Sequence, residues 1–125
     1  MFVKGDILKA THRAINEGRH FIVYLEGNSD ADFIGGMITH SEQYGNVNME
    51  INHFEKVDAN GVNYKVKYDK SYLVKAKLIK PYIWGPFTKV GCLTIDGKQF
   101  LNNTIEDLET ESFESYLLRN NLIRL

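Results

Sequence analysis

His20-Phe21-Ile22-Val23-Tyr24-Leu25-Glu26, then Gly27-Asn28-Ser29-Asp30, then Asp32-Phe33-Ile34-Gly35-Gly36-Met37-Ile38-Thr39-His40 is the stretch on which the fold turns. The first and third segments are short β-branched and aromatic runs, and dense turn chemistry separates them. That pattern predicts two neighbouring antiparallel strands. The first, β-branched and aromatic, reads as a central strand and the second as its partner strand. The Gly35-Gly36 pair predicts a bulge or a close backbone approach in the second strand.

Further strands follow on either side. Gly5-Asp6-Ile7-Leu8-Lys9-Ala10 is a short apolar strand behind a turn. Val47, Met49 and Ile51 alternate with Asn48, Glu50 and Asn52, the period of a half-buried strand. Asn60-Gly61, flanked by Phe54 to Val57 and by the alternation Val62, Tyr64, Val66, Tyr68, predicts a type I′ hairpin. Ser71 to Lys80 alternates again, Pro81 and Pro86 bracket a loop holding Tyr82 and Trp84, and Val90 to Leu93 is a last short strand.

Helix signals come late. Asn103 or Thr104 is placed to cap a turn through Leu108. Ser112 opens a second helix in which Phe113, Tyr116 and Leu117 share a face. The expected architecture is one mainly β domain over residues 1–125: a small SH3-like barrel or rolled antiparallel sheet over 1–100, then a short helical tail over 103–125.

The composition is that of a folded chain, with 43% hydrophobic and 25% charged residues over 125 positions. Net charge is -1, so no global field draws nucleic acid or an anionic membrane, and any such binding must be local. Lysines at 65, 67, 70, 75, 77, 80 and 89 face one acid, Asp69, while Glu106, Asp107, Glu109, Glu111 and Glu114 cluster without a base. The single Cys92 lies between Gly91 and Leu93 and is expected to be core rather than nucleophile. No apolar segment has the length of a membrane span, and no signal-peptide run is present, so no membrane partner and a cytoplasmic location are expected. The histidines at 12, 20, 40 and 53 lack metal-ligand spacing, so neither a metal nor a cofactor is expected.

Polar chemistry gathers at strand ends. Arg19 and His20 open one strand, and Thr39, His40 and Ser41 close its antiparallel neighbour, which brings these positions to one rim. A histidine, a guanidinium and a hydroxyl are the parts needed to cut a phosphodiester without metal. A second reading stays open at this point, since strand ends collect polar residues simply because they meet water. Likewise the lysines, interleaved with Tyr68, Tyr72, Tyr82 and Trp84, suit either a nucleic-acid surface or a solvated sheet face.

In order and spacing these segments resemble the MazF/PemK toxin family of small SH3-like-barrel ribonucleases. Gly5-Asp6-Ile7-Leu8 is similar to the family's G-D-I-V opening, and Gly18 to Leu25 to its G-R-R-P-x-V-V-I segment. Gly36 to Ser41 resembles its P-I-T-S strand, Ser71 to Lys80 its S-x-V-L-x-x-Q-I-R-T strand, and Val90 to Thr94 its I-G-x-L-S. The resemblance implies a metal-independent endoribonuclease acting on single-stranded RNA, a homodimer, and an antitoxin protein as partner. On that basis the catalytic candidates are Arg19, His20, Thr39 and His40, and the RNA-binding candidates are Arg13, Lys75, Lys77 and Lys80. His20 stands where the family has arginine and Phe21 where it has proline. Ala76-Lys77 and Ile79-Lys80 also depart from its pattern. A non-catalytic SH3-like module that holds a peptide, a protein or RNA is the alternative.

Overall fold

Apolar runs with no polar alternation need cover on both faces of a sheet, and β2 and β3 receive it. The computed structural model describes residues 1–10, 21–27, 29, 33–40, 42–64, 70–80 and 87–120, the side chains of residues 10 and 80 excepted. Among these, the strands are β1 (Asp6–Ala10), β2 (Phe21–Gly27), β3 (Phe33–Thr39), β4 (Val47–Asn48), β5 (Tyr72–Leu73), β6 (Lys77–Lys80), β7 (Phe87–Cys92) and β8 (Thr110–Ser112). Two helices join them, α1 (Ile95–Ile105) and α2 (Phe113–Arg119). The chain is mainly β. The strands form one sheet in the order β4-β5-β3-β2-β1-β7, with β6 on β3 and β8 on β6. All pairings are antiparallel except β6 with β8. Among the described residues the sheet does not close on itself into a barrel.

β2 runs against β3 along its whole length, from Phe21 on Ile38 to Gly27 on Phe33. The pairing slips between Tyr24 and Glu26, leaving Leu25 as the extra residue of a bulge opposite Gly35. The glycine pair has the role its sequence suggests. A Cβ on Gly35 would strike the Val23 carbonyl, and one on Gly36 would crowd Ile105 at 3.1 Å and Leu73 at 3.3 Å. The other edge of β3 is shared. β5 pairs with its C-terminal end and β6 with its N-terminal end. Between them Ala76 donates back to the Val74 carbonyl at 2.9 Å, breaking the expected continuous strand over Ser71 to Lys80.

One face of the sheet carries Ile7, Val23, Ile38, Leu73 and Leu93 against Leu101 and Ile105 of α1. The opposite face carries Leu8, Ile22, Tyr24, Phe33 and Phe87, continuing into Met37, Val74, Ala76 and Leu78 against Tyr116 of α2. Phe113 packs on both groups of this second face. Each fully buried aliphatic side chain contributes about 1.5–3 kcal/mol, so docking two helices on a two-sided sheet is the main source of cohesion.

Three expectations are corrected. The first helix spans 95–105, not a turn from 103, and strand β8 lies inside the tail expected to be helical. Thr94 caps α1 by accepting from the Gly97 N–H at 3.1 Å, and Gly97, Leu101 and Ile105 form its buried stripe. Asn103 and Thr104 sit inside it, where the Thr104 hydroxyl donates to the Phe100 carbonyl at 2.7 Å. Ser112 does cap α2, accepting from the Ser115 N–H at 3.1 Å.

Secondly, the strand expected from Val47 to Ile51 ends at Asn48, and Ile51–His53 is one turn of 3-10 helix with Ile51 exposed. Thirdly, the turn at Asn60-Gly61 is not type I′. Of its residues only Gly61 has positive φ, the Gly61 N–H donates to the Asp58 carbonyl, and Asp58 Oδ1 accepts from Asn60 and Val62. Asp at the first position and Gly at the fourth mark a type I turn followed by a left-handed glycine. Its flanks meet in a bridge of Val57 on Asn63, and the expected alternation at 65–69 lies outside the described residues.

Candidate functional site

The C-terminal end of β3 sets the geometry. Across three strands Ile38 pairs with Leu73 and Leu73 with Val47, while in the next row Thr39 pairs with Tyr72 and Tyr72 with Asn48. Ile38 and Leu73 belong to the α1 core, so strand alternation turns Thr39, Tyr72 and Asn48 to the α2 side. Thr39 is 6% exposed, Tyr72 half-buried and Asn48 exposed. His40 follows at the open rim with its Nδ1 3.3 Å from the Lys70 carbonyl oxygen, a hydrogen bond when Nδ1 carries the proton. Lys70 itself is left-handed, with φ 57°.

The connection leaving this rim turns sharply. The Asn46 N–H donates to the Gln43 carbonyl at 3.2 Å across Tyr44 and Gly45, whose φ values are 60° and 75°. Positive φ at both central residues is the type I′ pattern, which favours Asn and Gly at these positions. A tyrosine there costs about 1 kcal/mol of backbone strain. Tyr44 is nonetheless 47% exposed. Its phenol lies within electrostatic reach of Tyr116. Burial pushes the Tyr116 hydroxyl up, Arg119 pulls it down, and Tyr44 and Glu111 add to the rise.

Beyond Tyr116 the Arg119 guanidinium stands 5.2 Å from the ring centre and grips Glu111, Nη2 donating to Oε1 at 2.7 Å and Nε at 2.9 Å. Ser115 donates to the other carboxylate oxygen at 3.1 Å. A groove of about 550 Å³ opens here, lined by Lys75, Leu108, Glu109, Thr110, Glu111 and Arg119 among others. Hydrogen bonding from Arg119 holds the Glu111 carboxyl below its usual value of 4.5, against the opposing effect of burial and with help from Ser115. A lowered folded value means that the contribution to stability is present above the ordinary carboxylate range and is lost as pH falls through the folded value. Glu111→Gln is therefore expected to cost about 0.5–1 kcal/mol near neutrality, discounted for a half-exposed arginine. The difference should vanish in acid. Denaturant unfolding of both proteins at the two pH values checks this, and a penalty that persists in acid would contradict it.

The expected site residues are distributed unequally. Arg13, Arg19 and His20 lie outside the described residues. Thr39 and His40 are neighbours on the rim, and Phe21, next in the chain after His20, pairs with Ile38, next before Thr39. The lysines run away from this rim. Lys75 is exposed at the break between β5 and β6. The Lys77 side chain is 14% exposed, and its ammonium donates to the Glu106 carbonyl at 3.0 Å and lies 3.5 Å from the Glu26 carboxylate. Lys80 pairs through its backbone with Phe33, at the other end of β3 from Thr39. Tyr44, Tyr116 and Arg119 were not singled out from the sequence as site residues. Only the tyrosine-glycine dipeptide at 44–45 carried a local signal, and that signal marks a turn rather than a ring.

A separate cluster ties β1 to β7. Asp6 is buried, its Oδ2 accepting from the Val3 N–H at 2.9 Å and its Oδ1 3.1 Å from the Lys89 ammonium. Burial alone would lower Lys89, but the Asp6 hydrogen bond and charge outweigh it and hold the ammonium above its usual range. Lys89 is thereby a structural cation. Nearby Cys92 is half-buried, its thiol pushed up chiefly by burial, with Lys89 pulling the other way. A raised thiol is a poor nucleophile.

Among the described residues no three His, Cys, Asp or Glu side chains are grouped to hold a metal ion. No helix among them is long and apolar enough to cross a membrane. Against known proteins, the chain matches no family model, no curated protein and no solved structure.

Proposed function

We propose that this protein is a metal-independent endoribonuclease of the MazF/PemK kind, cutting single-stranded RNA at the rim where β3 ends. The observation that supports this most is the register of β2 on β3. Phe21 lies opposite Ile38, so the chain running out of Arg19-His20 enters the sheet one pair from Thr39-His40. In the reaction His20 moves a proton from the attacking ribose hydroxyl or to the leaving oxygen, with His40 as the second acid–base group. Arg19 clamps the phosphate and neutralises charge growing on its oxygens. The Thr39 hydroxyl hydrogen-bonds the phosphate or a sugar hydroxyl. Arg13 and Lys75 extend the cationic path for the strand, of which Lys77, held by Glu26 and the Glu106 carbonyl, is not part. A homodimer and an antitoxin protein complete the proposed assembly, in the cytoplasm.

Long single-stranded RNA incubated with the purified protein in EDTA should be cleaved. The double variant Arg19→Ala, His20→Ala should cut at least about 100-fold more slowly, the usual weight of a positioned acid–base group. Intact RNA with the wild-type protein, or cleavage indifferent to the double variant, would overturn the proposal. A second reading, a non-catalytic module for a peptide partner, draws on the groove between Lys75 and Arg119. Intact RNA together with capture of one protein partner, abolished by a substitution in that groove, is the outcome it expects.

A further inference from the structure

Asn60-Gly61 is a reactive pair as well as a turn. Of the asparagines in the chain only Asn60 is followed by glycine. A glycine nitrogen has no Cβ beside it to hinder its approach to the side-chain carbonyl carbon of the preceding residue. Asn60 and Gly61 are both exposed, and a Cβ on Gly61 would meet nothing within 4 Å. Among the described residues the Asn60 side-chain amide has no hydrogen-bond partner, and only its main-chain N–H is held. One residue stands against the reaction. The Gly61 N–H donates to the Asp58 carbonyl at 3.0 Å, and Asp58 Oδ1 accepts from the Asn60 N–H at 2.8 Å and the Val62 N–H at 3.0 Å. The amides of Asn60, Gly61 and Val62 are thus all bound by Asp58, and the nitrogen that would attack is among them. A local opening of the turn has to come first.

We propose that Asn60 is a self-modification site, converted to aspartate or isoaspartate through the Gly61 nitrogen, with Asp58 as the latch that sets the rate. In the opened turn the Gly61 nitrogen bonds to Asn60 Cγ while the Cγ–Nδ2 bond breaks. The proton lost from the Gly61 nitrogen passes through solvent to the departing amide nitrogen, which leaves as ammonia. The cyclic imide then takes up water. Opening at Cγ gives aspartate, whereas opening at the main-chain carbonyl carries the chain through Cβ and Cγ as isoaspartate. The net change is asparagine plus water to the acid plus ammonia, with no other reactant. Isoaspartate adds a methylene to the main chain of a turn whose flanks meet at Val57–Asn63 and where the Tyr64 N–H donates to the Lys56 carbonyl. The bond from Gly61 to Asp58 is then lost.

The test incubates the full, folded chain in warm, mildly alkaline buffer and follows it by digestion and mass spectrometry. The peptide holding Asn60 should gain the mass difference between amide and acid, and part of it should accept methyl groups from an isoaspartate methyltransferase. Asp58→Ala should react about tenfold faster, the ratio expected from losing the two hydrogen bonds to the carboxylate. Asp58→Asn, which keeps an acceptor oxygen, should stay within about twofold of wild type. The chain unfolded in guanidinium chloride supplies the rate without the latch. An Asn60 that stays intact in the folded protein while the unfolded chain is converted overturns the proposal. Equal rates in folded and unfolded chains, or in wild type and Asp58→Ala, overturn the role of Asp58. An equal acceleration in Asp58→Ala and Asp58→Asn does so too, because charge rather than hydrogen bonding would then control the reaction.

Discussion

Phe33→Ala is expected to lower the free energy of unfolding by about 3–5 kcal/mol, the largest stability loss among the substitutions considered. Phe33 is 2% exposed and opens β3 where that strand is paired on both edges, with Gly27 of β2 and Lys80 of β6. Its ring stacks on Tyr24 at 4.8 Å and meets Phe87 edge-on at 5.1 Å. Leu8 and Ile22 complete the cluster. Truncation removes the ring's own burial and leaves a cavity that strands pinned on both sides cannot collapse to fill. It also dismantles two aromatic pairs worth about 0.5–1.5 kcal/mol each beyond their burial. Urea unfolding of the two proteins measures the difference. A loss below about 1 kcal/mol would mean a loose, adaptable cluster and would contradict the packing described.

Gly97→Ala is expected to cost about 2–3 kcal/mol, opposite in sign to what helix propensity alone says. Within a helix, alanine normally gains about 0.5–1 kcal/mol over glycine. Here the added Cβ would run into the His53 carbonyl, with Leu93 Cβ at 3.0 Å behind it. That carbonyl cannot retreat freely, because it accepts from the Thr94 N–H at 2.9 Å. The same junction is held by the Thr94 hydroxyl donating to Asn52 at 2.8 Å and by the His53 ring stacked on Phe100 at 4.6 Å. Relief therefore means moving α1 away from the 3-10 turn. Denaturant unfolding checks the sign, and the ring-current shifts of Phe100 report whether the stack has opened. A stabilised Gly97→Ala variant would show that the helix and the turn are not in close contact.

The middle of the sheet was legible because its code is local. Phe21 to Leu25 and Phe33 to Ile38 are short runs with no polar alternation, and such runs are stable only between two covering layers. Even the bulge left a mark, as Gly35-Gly36 on the strand opposite Leu25. α2 was legible for the same reason, through the Ser112 cap and the shared face of Phe113, Tyr116 and Leu117. α1 was not. Gly97, Asn102, Asn103 and Thr104 are weak helix formers, and the segment is helical because Leu101 and Ile105 have a sheet to dock on, at a spot left open by Gly36. The hairpin turn at Asp58 to Gly61 failed in type rather than place. An Asn-Gly pair fits two turn geometries, and the Asp58 carboxylate, by taking two amide protons, fixes the one with a single left-handed residue.

At the site, the nearness of Thr39 and His40 to the β2 entry follows from one hairpin and needed only the strand order. The lysines were a different matter. Lys77 reads as a solvated cation, but Glu26 and the Glu106 carbonyl reach it from distant parts of the chain. Lys89 is likewise taken by Asp6. No periodicity records such partners, because each is set by where two separate segments pass.

The amino-acid sequence by itself determined that the chain is mainly β, that β2 is a central strand with β3 as its antiparallel partner, and that polar residues close β3 at one end. Those properties come from hydrophobic pattern and turn chemistry, which act within a few residues. The tertiary structure alone decided that the sheet of the described residues stays open, that residues 95–105 are helical, which charges are neutralised, and that Tyr44 takes a left-handed backbone. Each of these depends on contacts between residues far apart in the chain, and their energies exist only once the segments have met.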